Sequence, residues 1–157
     1  MPVAAMLELA VTRNIDMPST VQQQAEDLIR ATGARLTRPR TRVLVLLLDQ
    51  NRPLTHHEIQ HQLAGEALDA VTLYRVLDWL IKNGMVHRIA SADQVWRFGA
   101  SAGKQNHDHA HFQCTNCYSV TCFNDMPLPR RVKMPEGFTS QEVDLLIKGT
   151  CPGCSGK

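Results

Sequence analysis

The sequence predicts an α+β fold in two halves: a winged helix-turn-helix first, then a smaller strand-rich α/β half that binds metal. Three observations carry the prediction. Apolar residues recur with a helical period as far as Gly84 and with a strand-like period beyond it. Two Cys-x-x-Cys pairs, Cys114/Cys117 and Cys151/Cys154, both lie in the second half. Histidines alternate at 107, 109 and 111 just ahead of the first pair, and a fifth cysteine, Cys122, follows it.

Composition narrows the function classes. Of 157 residues, 43% are hydrophobic, enough for one ordinary core or two small ones. The net charge of +2 rules out a polycation, so any nucleic-acid surface has to be a local patch. Five cysteines arranged as two close pairs plus one favour metal in a reducing compartment over a disulfide framework. Met1–Val11 is apolar, but Glu8 interrupts it and no basic stretch precedes it, so no secretory leader is expected. No run approaches the roughly 20 apolar residues of a membrane span. A cytoplasmic protein without a membrane partner is the expectation.

Residues 1–18 are expected to form a flexible arm, and 19–98 a winged-helix domain. Val21, Ala25, Leu28 and Ile29 share the face of a first helix, capped by Ser19 or Thr20 and stopped at Gly33. Thr37 is placed to cap a second helix from Arg38, where Pro39 is tolerated in the first turn. Val43–Leu48 is almost wholly apolar, as a buried helix would be, and 49–53 is a turn. Thr55 caps a short third helix through Leu63. Asp69 caps Ala70–Asn83, on which Leu73, Val76, Leu77, Leu80 and Ile81 make one stripe. Val86–Ala90 and Gln94–Phe98 form a hairpin about Ser91–Asp93. This is the order of a winged helix whose last helix enters a DNA groove.

Residues 99–106 read as a hinge, and 107–157 as the metal-binding half. Phe112, Val120 and Phe123 are strand-like around the first cysteine pair, 127–134 holds no more than a short helix, and 138–148 reads as a strand.

Cys114, Cys117, Cys151 and Cys154 are expected to hold one structural Zn²⁺, since thiolates are its preferred ligands and each Cys-x-x-Cys brings two to one ion. On a strand His107, His109 and His111 point to one face. A hairpin turning at the knuckle sets Cys122 across from His111, which suggests a second, adjustable site. His57 and His61 share a helical face, but two ligands alone make a weak site, so a solvated helix is expected there. Catalytic zinc needs an open position and a general base. Asp108 and Asp125 are the acidic residues near the cluster and no His-Glu-x-x-His motif occurs, so neither an enzyme nor a small organic substrate is expected.

Four arginines, Arg35, Arg38, Arg40 and Arg42, fall within eight residues. Arg38, Arg40 and Arg42 suit DNA phosphates, and Arg35 is able to reach a minor groove. On the helix face opposite the apolar stripe, Arg75 suits a guanine edge or a phosphate and Val71 a thymine methyl, with Thr72 and Tyr74 flanking them.

Leu36-Thr-Arg-Pro-Arg40, Ala70-Val-Thr-Leu-Tyr74-Arg75-Val-Leu, Gly84-Met-Val-His87-Arg, His109-Ala-His111-Phe-Gln-Cys114-Thr-Asn-Cys117 and the terminal Cys-Pro-Gly-Cys occur in that order. Together, over about residues 19–154, they resemble the ferric uptake regulator family. The resemblance implies a bacterial repressor, a homodimer with C-terminal dimerisation domains, in which a regulatory metal closes the winged domains onto an AT-rich palindromic operator. It implies DNA contact by Tyr74 and Arg75 and minor-groove contact by Arg35. Departures matter. Pro53 and Arg97 stand where iron-sensing members have a histidine and a glutamate, and Cys122 stands in place of a carboxylate. Pro129 and Val143 fall near the positions of a further site's ligands. His87, otherwise read as a surface histidine, falls where the zinc-sensing branch places a hinge ligand, although Phe98 stands where that branch often has a cysteine. A thiolate in place of an oxygen donor moves preference from Fe²⁺ or Mn²⁺ toward Zn²⁺. The expected regulatory set is His87, His109, His111 and Cys122, with His107 as an alternative, holding Zn²⁺ ahead of Fe²⁺ or Mn²⁺.

Overall fold

The computed structural model describes residues 20–50, 52–66, 68–101, 109–128, 132–141 and 143–156. The expected arm, Ser19, His107, Pro129 and most of the expected hinge lie outside them.

Helices α1 (Thr20–Ala31), α2 (Arg38–Asp49), α3 (His56–Gln62) and α4 (Ala70–Lys82) build the first half around one core. Ala25 and Ile29 of α1, Leu44 and Leu47 of α2, Ile59 of α3, and Leu73, Leu77 and Leu80 of α4 are buried together. Their spacing puts each set on one side of its helix, so burial of the stripe fixes the packing. Thr55 and Glu58 form a reciprocal capping box on α3, and Asp69 accepts the Thr72 N–H at the start of α4. Thr37 differs from expectation. It occupies the cap position of α2 in an extended conformation, but its hydroxyl makes no capping bond.

The wing consists of β2 (Val86–Ala90) and β3 (Trp96–Ala100), antiparallel with His87 opposite Gly99 and Ala90 opposite Trp96. The second strand is shifted from the expected 94–98. Gln94 adopts a φ of 59° and gives its N–H to Ser91, so it belongs to the turn. At the other end the strand continues through Gly99 and Ala100, and Ser101 N–H reaches Met85 O at 2.9 Å, taking three residues of the expected hinge into the wing. A two-residue strand, β1 (Leu54–Thr55), pairs with β3 as a third member of this sheet.

In the second half, β4 (His109–Cys114) is central, with β5 (Val120–Pro127) antiparallel on one side and β6 (Leu146–Gly149) parallel on the other. The expected strand over 138–148 is short. Only Leu146–Gly149 pairs with β4, and Phe138 follows the Pro135–Gly137 turn as an exposed side chain. A short helix, α5 (Pro152–Ser155), carries the last cysteine.

Candidate metal centres and nucleic-acid interface

Strand β4 ends at Cys114, and the chain turns so tightly there that Tyr118, with a φ of 59°, returns its N–H to Cys114 O at 3.0 Å. Thr115 N–H bonds Gly149 O at 2.7 Å, which ties this knuckle to the end of β6. The two cysteine pairs are thereby brought together. The four sulfurs of Cys114, Cys117, Cys151 and Cys154 lie within 4.8 Å of one another, and Cys117 Sγ is 3.8 Å from Cys151 Sγ. Tetrahedral zinc with thiolate bonds of about 2.3 Å sets its sulfurs about 3.8 Å apart, so the donor set and spacing fit that ion. All five cysteines are free thiols. The N–H groups of Cys117, Cys151 and Asn116 aim at the Cys114 sulfur and bring its pKa down to about 6. Cys154, crowded by the Cys151 side chain, is pushed up to about 12. Four thiols this close cannot all ionise alone; a cation removes that conflict.

A second group lies across the two halves. Cys122 is opposite His111 in the β4–β5 register, and His109 precedes by two residues on the same face of β4. From the wing comes His87, only 2% exposed. Its Nε2 is 3.3 Å from His111 Nε2 and 3.9 Å from Cys122 Sγ. Ligand atoms from all four residues fall within 4.8 Å of one another. Nitrogens on a tetrahedral zinc stand about 3.3 Å apart, so this pocket too fits a Zn²⁺-sized ion. Burial pushes the Cys122 thiol up to about 11, and a bound cation would favour its thiolate.

Two neighbours of His87 lie where the sequence suggested only a hinge. Ser101 Oγ is 3.2 Å from His87 Nδ1, a contact of the kind that orients an imidazole whose other nitrogen binds metal. Gly99 lies under the ring: a Cβ there would come within 3.0 Å of His87 Cε1. The glycine at that register position was the available signal.

Three expected departures acquire structural content. Pro53 is buried near Gly99. Phe98 packs in the winged-half core. Arg97, 7% exposed, makes a two-toothed ion pair with Asp93 at 2.8 and 2.9 Å and also donates to Ser91 Oγ. Val143 is half-buried and belongs to neither ligand group. The two groups above are the metal-ligand clusters among the described residues, and His57 and His61 are in neither.

On the proposed DNA face, Val71 and Tyr74 are each 60% exposed and Arg75 is exposed beside them. His56 stacks on the Tyr74 ring at 4.0 Å, steadying it, and burial lowers the His56 pKa. Thr72 is turned back, its hydroxyl bonded to Asp69 at 2.7 Å. Arg38 and Arg42 both grip Glu66, whose pKa is lowered by their hydrogen bonds. Arg40 lies over the Trp79 ring at 3.9 Å and donates to Arg35 O, while Arg35 is exposed. The basic cluster is therefore organised by a carboxylate and an aromatic ring, where sequence alone suggested phosphate contacts by Arg38, Arg40 and Arg42 and a minor-groove contact by Arg35.

A winged helix whose wing supplies one corner of a histidine–cysteine cluster, in a chain that also carries a four-cysteine site, defines a metal-responsive DNA-binding regulator. A model of the ferric uptake regulator family matches residues 31–147. The chain belongs to that family. The peroxide operon regulator of Bacillus subtilis (strain 168) is 26% identical over 140 residues, covering 86% of this chain and 94% of that protein. The ferric uptake regulation protein of Escherichia coli (strain K12) is 26% identical over 134 residues, covering 78% and 85%. Among solved structures, a zinc uptake regulator complexed with zinc and DNA superposes with a TM-score of 0.66 at 22% identity, covering 88% of this chain and 97% of that one.

Proposed function

We propose that the protein is a zinc-sensing repressor that binds palindromic, AT-rich operators as a homodimer and shuts off metal-uptake genes when zinc is plentiful. The observation that carries the proposal is the His87–His109–His111–Cys122 cluster, because its donors come from both halves and include a thiol but no carboxylate. Such a set suits Zn²⁺ better than the harder Fe²⁺ or Mn²⁺. His87 belongs to the rigid wing, so its participation ties DNA-binding geometry to ligand binding. The ion supplies a cross-link between the wing and β4–β5. His109, His111 and Cys122 present the receiving face, and Ser101 and Gly99 hold His87 toward it. A small difference in affinity between the closed and open conformers suffices to shift the population.

Cys114, Cys117, Cys151 and Cys154 hold the structural ion. Tyr74, Arg75 and Val71 read the major groove, Thr72 supports the helix start there, Arg38, Arg40 and Arg42 meet the backbone, and Arg35 enters the minor groove. Phe123, Met126, Val132, Met134 and Phe138 are exposed on the single chain and suit a face covered in a homodimer. The free thiols suit the reducing cytoplasm.

The test is binding to duplexes selected from random sequence by the wild-type protein, titrated with Zn²⁺, Fe²⁺ and Mn²⁺ in parallel. Zn²⁺ is expected to promote binding at the lowest free concentration, and Cys122→Ser to raise that concentration at least about tenfold. If Fe²⁺ or Mn²⁺ acts at lower free concentration, or if Cys122→Ser shifts nothing, the zinc assignment fails.

A further inference from the structure

The two halves meet at a second point that involves no metal ligand. Gln113 follows His109 and His111 on the same face of β4 and is 1% exposed. Its Oε1 accepts the N–H of Ala92, in the wing turn, at 2.7 Å. Its Nε2 meets no hydrogen-bond partner among the described residues. A buried amide satisfied at only one end is an expensive occupant of a sheet that an apolar side chain would fill better. What it retains is the acceptor for the wing.

The donor is held equally firmly. Ala92 lies in the turn closed by Gln94 N–H to Ser91 O at 3.0 Å. Arg97 braces both flanks of that turn through Asp93 and Ser91, and Ser91 Oγ donates to Val95 O at 2.9 Å. The Ala92 N–H is thus fixed in direction before it meets Gln113.

Geometry gives this contact its consequence. The wing is a hairpin, and His87 meets the second half at the ligand cluster, against His111 Nε2 at 3.3 Å, Cys122 Sγ at 3.9 Å and the His109 ring. A body attached at one point can still pivot about it. Gln113 stands two residues along the same strand, roughly 7 Å away, and engages the far end of the hairpin. Two attachments fix the wing's axis over β4.

We propose that Gln113 is a positioning residue: it latches the wing turn onto β4 without metal, and so sets how much zinc is needed to close the molecule for DNA binding. The proposal rests on the zinc-dependent closure put forward above. Ligands from both halves assemble only in the closed conformer, so apparent zinc affinity falls in proportion to the closed fraction. Losing one such hydrogen bond lowers that fraction about three- to tenfold. Saturating zinc restores closure, so operator affinity at high zinc stays near the wild-type value.

Two variants remove the bond from opposite sides. Gln113→Met keeps length and volume but deletes the acceptor. Ala92→Pro deletes the donor at the second position of a turn, where proline is favoured. For the full-length protein on its selected duplex, the expected result in both is a zinc midpoint for DNA binding raised about three- to tenfold, with affinity in saturating zinc unchanged within about twofold. Hydrogen exchange gives a readout free of metal and DNA: the Ala92 amide is protected in the wild-type protein and loses protection in Gln113→Met. An unchanged midpoint in both variants, or equal loss of affinity at low and saturating zinc, overturns the latch. If only one variant folds, its midpoint decides. If the wild-type protein shows no zinc-dependent DNA binding, the sensing function fails, and Ala92 exchange still decides the latch: protection independent of Gln113 overturns it.

Discussion

Arg97 shows how one residue can change the use of a position. In iron-sensing relatives of the resemblance drawn above, a glutamate stands there; here a buried guanidinium turns inward to Asp93 and stiffens the wing turn. The hydrogen bonds from Arg97 hold the Asp93 carboxyl at about 2, below its ordinary 3.8. A depressed carboxyl stabilises the fold fully above the unfolded value, near pH 4, and loses that contribution as pH falls through about 2. Asp93 is about one-fifth exposed, so solvent screening leaves a contribution of about 1 kcal/mol. Asp93→Asn should lower the stability of the winged half by about that amount at pH 7, and the gap to wild type should close between pH 4 and 2. Both tryptophans, Trp79 and Trp96, lie in this half, so denaturant titrations followed by their fluorescence in metal-free protein read it directly. A gap that stays constant down to pH 2 would show that the ion pair is not its source.

At the scale of elements, α4 is the proposed reader and β4 the proposed joint. Leu73, Val76, Leu77 and Leu80 bury one side of α4, which leaves Val71, Tyr74 and Arg75 facing out. Arg75→Ala should therefore weaken preference for the selected operator by about 1–3 kcal/mol in discrimination, with zinc content unchanged. A gap between operator and scrambled duplex narrowed by that amount in the variant is the expected pattern in gel-shift titrations; a gap as wide as that of the wild type would remove α4 from the reading role. This helix was legible because its stripe repeats at helical spacing and Asp69 marks its start. The His111–Cys122 pairing was legible too, since the Cys114–Cys117 knuckle pins the hairpin register that sets them opposite. Local pattern could not reveal β1, whose two residues gain strand geometry only from β3. Nor could it show that the strand ending at Gly149 begins as late as Leu146, because pairing to β4 decides its length. His87 came into the cluster through the family resemblance; on periodicity alone it was a surface residue. The Gln113–Ala92 contact joins positions 21 apart in sequence, and the Glu66 bridge to Arg38 joins positions 28 apart, so neither leaves a local trace.

Across the whole molecule the two halves are stabilised differently. The winged half has a core drawn from four helices and its sheet. Among its described apolar residues the second half buries Ala110, Cys114, Val120 and Leu128, a small set for an independent fold. Its remaining order runs through the knuckles, where Thr115 is bonded to Gly149 and Cys151 N–H to Cys114 Sγ. Binding free energy at such a site is folding free energy. Removing the structural ion with a strong chelator, or replacing Cys151 by serine, should therefore melt the second half and dissociate the dimer while the tryptophan-monitored transition of the winged half persists. The Gln113 latch and the His87 contact would be lost with it, so zinc at the regulatory residues could no longer reach a folded partner surface. DNA binding should then fall to a weak, strongly salt-dependent level set by the arginine cluster alone. Light scattering for mass, near-UV circular dichroism for tertiary order and tryptophan fluorescence for the winged half separate these events. Dimer mass and a full near-UV signal surviving verified zinc removal would mean that the four cysteines do not hold the second half together.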